Sequence, residues 1–215
     1  MKQKDPSSDL AYSYLALRNA LGWIGILLPF VLMAGMFLIF NGKIIQKTIS
    51  QYYHTGMRDV FVGSICAIAL FLFFYKGYNK WENRVATLAG FFAIGIAWFP
   101  TTQSGPLDFS GKIHLICASV FFIILALFSI FFFTMGKIHP TKRKLKRNII
   151  YVACGVVMIV CLAAIVIFFN FLLPSHPDSN FVFWAETIAL IAFGVSWITK
   201  GGTLYPDKLG VRREA

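Results

Sequence analysis

Residues 112–133 read KIHLICASVFFIILALFSIFFF, and no charged side chain follows His114 within that run. An α-helix rises 1.5 Å per residue, so a stretch of this length covers the roughly 30 Å of hydrocarbon in a bilayer. Five more apolar runs flank it, at about 20–40, 59–76, 85–100, 149–173 and 181–199. The run at 85–100 is the shortest and ends at Phe99-Pro100. Its small residues Ala86, Gly90, Ala93 and Ala97 recur at helical spacing, which predicts a span packed closely between neighbours. The expected fold is all-α, an integral membrane bundle of six transmembrane helices. The whole chain, residues 1–215, reads as a single domain with no low-complexity linker dividing it.

Composition supports this reading. The chain is 58% hydrophobic and only 13% charged, with a mean hydropathy of +0.70. A soluble domain uses about a quarter of its residues as charges to face water. The net charge of +11 follows from the positive-inside rule without invoking nucleic acid. Cys66, Cys117, Cys154 and Cys161 all fall inside apolar runs and read as small hydrophobes rather than a disulfide framework. The first run has no small-residue cleavage site behind it and reads as an uncleaved anchor.

Lysine and arginine then set the orientation. Lys2, Lys4, Arg18, Lys76, Lys80, Arg84, Lys137, Lys142, Arg143, Lys144, Lys146, Arg147, Lys200, Lys208, Arg212 and Arg213 share one side. Only Lys43, Lys47, Arg58 and Lys112 fall on the other. The richer side is expected in the cytoplasm, giving an N-in, C-in topology. Trp23, Trp81, Trp98, Trp184 and Trp197 each stand near a span end, where indoles favour the headgroup level.

The same topology sorts the polar residues. His54, Asp59, Asp108, His114, His176, Asp178 and Glu186 go to the outer side. Glu186 lies about two turns into the last span, where an ionisable group faces the bundle interior and has a partner. It is read as a ligand, proton or metal carboxylate, or as a buried structural hydrogen bond. Asp59 opens the second span behind Arg58, and a favourable macrodipole with an Arg58 pair accounts for it as well as a functional role does. His114 opens the fourth span, and its weight comes from sharing a leaflet with Glu186 and Asp59. These three are expected to line a common pocket. His176 reads as a loop residue. The loop Ile49-Ser-Gln-Tyr-Tyr-His-Thr-Gly-Met-Arg-Asp59 is either an interfacial lipid contact or a lid packed over the bundle end. Lys142, Arg143, Lys144, Lys146 and Arg147 form a candidate anionic-lipid surface. No nucleotide loop or soluble hydrolase motif is present.

Several short pieces in order resemble the FRAG/DRAM/Sfk group of six-span proteins. They are Ile49-Ser50 with Thr55-Gly56, then Arg58-Asp59-Val60-Phe61-Val62-Gly63, Phe99, His114 with Cys117-Ala118, and Trp184-Ala185-Glu186. The chain resembles still more a related bacterial membrane family, domain of unknown function number nine hundred and ninety-eight. The eukaryotic pattern departs at Gln51-Tyr52-Tyr53-His54 and at Phe99-Pro100. The resemblance implies a multi-pass protein of the bacterial inner membrane with no settled activity, and its eukaryotic relatives are linked to membrane-lipid organisation. Ser50-Xaa-Xaa-Xaa-His54 is also similar to a motif of the CREST membrane hydrolases, which bind zinc. That likeness implies a possible zinc site at His54, His114 and Glu186, although CREST proteins have seven spans.

Three functions follow as expectations. The first is a lipid-interacting bundle using the outer cluster Ser50, His54, Asp59, His114 and Glu186, with membrane lipid as partner. The second is a metal-dependent lipid hydrolase. The third is a small proton-coupled transporter. Protein partners are not readable from the sequence.

Overall fold

The computed structural model describes residues 6–136 and 141–204, with side chains from residue 13. Lys2, Lys4, Lys137, Lys208, Arg212 and Arg213, used in the charge count above, lie outside the described residues. Six α-helices are present: α1 (Pro6–Leu38), α2 (Arg58–Phe74), α3 (Lys80–Trp98), α4 (Phe109–Leu127), α5 (Lys142–Ile167) and α6 (Phe181–Lys200). There is no strand among the described residues. A π turn extends α4 through Phe128–Phe132, a second extends α5 through Phe168–Leu172, and Ser50–His54 forms a 3-10 turn.

Four helices are long and apolar enough to cross a membrane. They are Ser13–Leu38 of α1, Phe109–Phe132, Lys142–Leu172 and Phe181–Lys200, and they make this a membrane protein. α2 is equally apolar but has 17 residues, and α3 carries Lys80, Glu82 and Arg84 at its start. α1 begins well before the expected residue 20. Pro6 suits a first helical position, where its missing N–H is one that no helix could pair.

Each helix packs on its neighbours in sequence, and α6 returns to α1, so the six close into a ring. Glycine closes the seam. A Cβ on Gly194 would strike the Gly22 carbonyl and Ile26, and one on Gly22 would strike Ile198 and the Gly194 carbonyl. On α3, Ala86, Gly90, Ala93 and Ala97 are all buried, as their spacing predicts. Asn79, Asp108 and Thr141 cap α3, α4 and α5, their side chains accepting the amides of Glu82, Gly111 and Lys144.

The bundle has two distinct ends. One carries the Ser50–His54 turn, the α3–α4 loop and the start of α6. The other carries an aromatic cluster around Trp197, with Phe71, Tyr75, Phe133 and Phe193 against its ring. Trp197 therefore departs from the expected interfacial belt. It is fully buried because α6 turns that face inward, whereas Trp23, Trp81, Trp98 and Trp184 are exposed as the belt requires.

Candidate functional site

The polar site is built on the long loop between α1 and α2. Ile49, Tyr52 and Met57 are buried, so this loop is a lid packed into the bundle end rather than an interfacial strip. Two backbone-level contacts fasten it to α6. The Phe183 amide, one of the N-terminal donors that a helix cannot pair internally, donates to the Lys47 carbonyl at 3.0 Å. The Ile49 amide donates to Glu186 Oε2 at 2.6 Å. The Tyr52 hydroxyl donates to the Ile44 carbonyl, and burial pushes its ionisation up to about 12. Gln51 Oε1 accepts from the Lys47 amide at 3.2 Å, which folds the loop back on itself.

The α3–α4 loop supplies the facing wall. Asp108 caps α4 by accepting the Gly111 amide at 2.7 Å, and the Thr102 hydroxyl donates to the same oxygen at 2.7 Å. The Thr102 hydroxyl bond, with the Gly111 amide second, holds the Asp108 carboxyl below the usual carboxylate range. His114 pairs through Nδ1 with the Phe99 carbonyl at 2.7 Å. His54 pairs through Nε2 with the Thr101 carbonyl at 2.6 Å, tying the lid to this loop.

Between these walls lies a cavity of about 1010 Å³, at the top of the roughly 300–1,000 Å³ range of ligand pockets. Ser50, His54, His114 and Glu186 all border it. A smaller cavity of about 40 Å³ lies deeper, and Ser50, His114 and Glu186 border that one too. It has room for one water, and its three polar walls could hold it. Four of the five candidate residues, Ser50, His54, His114 and Glu186, thus share one space. Asp59 is the correction. It is exposed and borders neither cavity, and Arg58 turns away from it to donate to the Tyr53 hydroxyl at 2.9 Å. A first-turn acid favoured by the helix dipole accounts for it.

The possible zinc set also fails as geometry. Among the described residues, no three His, Cys, Asp or Glu side chains come together as a metal-holding group. His54 and His114 each engage a backbone carbonyl, and Glu186 engages a backbone amide. The basic run at the start of α5 is similarly mixed. Lys142, Arg143 and Lys146 are exposed, but Lys144 turns inward and donates to the Phe133 carbonyl at 2.7 Å.

Sequence reasoning missed the cavity's length. Its polar mouth includes Lys43, Lys47, Gln51 and Thr101, and its floor runs along α4 and α5 as far as Phe122 and Met158. From Asn170 down to Met158 is about 18 Å at 1.5 Å per residue, more than half the hydrocarbon thickness. The apolar wall includes Leu115, Leu162, Ile165 and Phe169. Helices whose every face is apolar give no periodic cue to which side borders a cavity. The arrangement suits a molecule with one polar end and one long apolar end.

No family model, no curated protein and no solved structure matches this chain.

Proposed function

We propose that this chain is a six-span, N-in, C-in protein of the bacterial inner membrane that binds a phospholipid in its outer leaflet, in keeping with its resemblance to the domain-of-unknown-function family named above. The cavity carries the proposal, because polar loops line its mouth and aliphatic and aromatic residues of α4 and α5 line its depth. A soluble metabolite would leave the wall from Leu162 to Met158 unfilled, whereas an acyl chain, already in hydrocarbon, fills it by van der Waals packing. The mouth offers both signs of charge. Lys43 suits a phosphate, with Lys47 beside it already paired to Asp178 at 3.1 Å, and Glu186, with Oε2 engaged by Ile49, suits an ammonium through its other oxygen. A zwitterionic headgroup such as ethanolamine phosphate satisfies both.

The test is lipid retention. Ser119 and Leu162 both border the apolar part of the cavity, and replacing either by Trp fills it. Wild-type protein purified in mild detergent should retain phosphatidylethanolamine in native mass spectra, and Ser119→Trp and Leu162→Trp should lose it at least tenfold. Equal retention in folded Trp variants would sink the proposal.

A further inference from the structure

The opposite end of the bundle holds a second polar assembly that the proposed lipid cavity does not use. Lys200 closes α6 and is 9% exposed, although it is a lysine. Its ammonium lies 4.6 Å from the Tyr78 ring centre and 4.9 Å from that of Phe133. Arg18 of α1 sits 4.3 Å above the Tyr14 ring and 5.4 Å from Tyr75. Among the described residues no carboxylate forms an ion pair with either cation. Glu82 of α3 is fully buried, and both its oxygens are already engaged. Tyr75 donates its hydroxyl to Oε1 at 2.7 Å, and the Tyr78 amide donates to Oε2 at 2.7 Å.

Neutral donors share the imbalance. Trp197, one turn before Lys200 on α6, is fully buried, and its indole N–H has no acceptor. Arg18 Nε is also buried without one. The two cations and the indole belong to one neighbourhood. Phe133 touches both Trp197 and Lys200, and Tyr75 touches both Trp197 and Arg18. Aromatic faces attract cations but accept no strong hydrogen bond, and a buried donor without an acceptor is costly. Asn19 Oδ1 and Asn148 Oδ1 are buried and unpaired at the same end. Turning either amide by half a rotation adds donors to the set.

We propose that this end binds a phosphate group between Lys200, Arg18 and the Trp197 indole, as a headgroup of an anionic phospholipid or as free phosphate. A tetrahedral oxyanion supplies several acceptors at once, and both Lys and Arg are suited to it, Arg in bidentate form. The site differs from the exposed Lys142, Arg143 and Lys146 surface, because Lys200, the Trp197 indole and Arg18 Nε are buried.

Trp197 supplies the readout. In protein with Trp23, Trp81, Trp98 and Trp184 replaced by Phe, its fluorescence is titrated in phosphatidylcholine nanodiscs with inorganic phosphate. The second arm substitutes phosphatidylglycerol for part of the bilayer lipid. A saturable change with phosphate alone identifies a free phosphate ligand, and a change only with phosphatidylglycerol identifies a lipid headgroup. In either case Lys200→Met and Arg18→Gln should weaken the response at least tenfold, and Lys200→Arg should retain it. Should Lys200→Met not fold, Arg18→Gln with Lys200→Arg decides the same point. No saturable response in wild type, or one unchanged in Lys200→Met or Arg18→Gln, overturns the proposal. Neither outcome depends on the cavity at the other end.

Discussion

Ile49 and Glu186, 137 positions apart in sequence, are joined by a 2.6 Å hydrogen bond from the Ile49 amide to the carboxylate. The bond gives the acid a structural task, holding the first loop on the last helix, while the same side chain borders both cavities.

A direct consequence concerns substitution at that position. Glu186→Gln keeps an oxygen that accepts from Ile49 and should change thermal stability in detergent little. Glu186→Leu leaves the amide unpaired and should destabilise by about 1–3 kcal/mol. A Leu variant with wild-type stability would show that the bond does not hold the lid.

The α1–α6 seam makes a second forecast. Gly194→Leu drives a side chain into the Gly22 backbone, which cannot move aside as a flexible side chain would. Overpacking of this kind costs about 1–3 kcal/mol or more. Gly63→Ala is the control, since nothing stands within 4 Å of its added Cβ, and as a mid-helix change it should leave stability unchanged or raise it by up to about 1 kcal/mol. Comparison of thermal midpoints checks both.

Acid should weaken the α4 cap. The Asp108 carboxyl is held below its ordinary range by Thr102 and Gly111, so its contribution is fully present above an unfolded value of about 4. It disappears as pH falls through the lower folded value. Asp108→Asn still caps and should lack this acid-side slope. Parallel melting curves from neutral to acid pH separate the two, and identical slopes would refute the assignment.

Orientation is testable by thiol labelling after Cys66, Cys117, Cys154 and Cys161 are replaced. Lys43 and Gln103 are exposed at the lid end, and Lys142 is exposed at the other. An impermeant reagent on intact cells should label Lys43→Cys and Gln103→Cys but spare Lys142→Cys. The reverse pattern inverts the topology.

The residues differ in how legibly they announced these features. Long apolar runs are one-dimensional facts, so the helices and the burial of Ala86 to Ala97 could be read directly. Glu186 stood out because a lone acid in an apolar run needs a partner, though nothing in its neighbourhood named Ile49. Asp59 misled because a leaflet assignment fixes height and not direction, and it lies on the outward face. Lys200 passed for an ordinary span-end charge, and Glu82 drew no reading. Glu82 did carry a local cue, since Asn79 followed three residues later by Glu is a capping pattern. Its further reach to Tyr75 and Tyr78 depends on Gly77, where a side chain would collide with the carboxylate. Such choices of direction arise only in three dimensions.

The closed ring has a consequence for biosynthesis. A chain made from its N-terminus delivers α1 to the bilayer first and α6 last, yet these two helices are partners. Until α6 arrives, Gly22 and Gly25 face lipid with shallow notches instead of Ile198 and Phe193, and the Ile49 amide has no Glu186. The newborn protein must therefore pass through an open-sided stage, and a chain stalled before residue 181 has the lid tied to Thr101 by His54 but lacks its two bonds to α6.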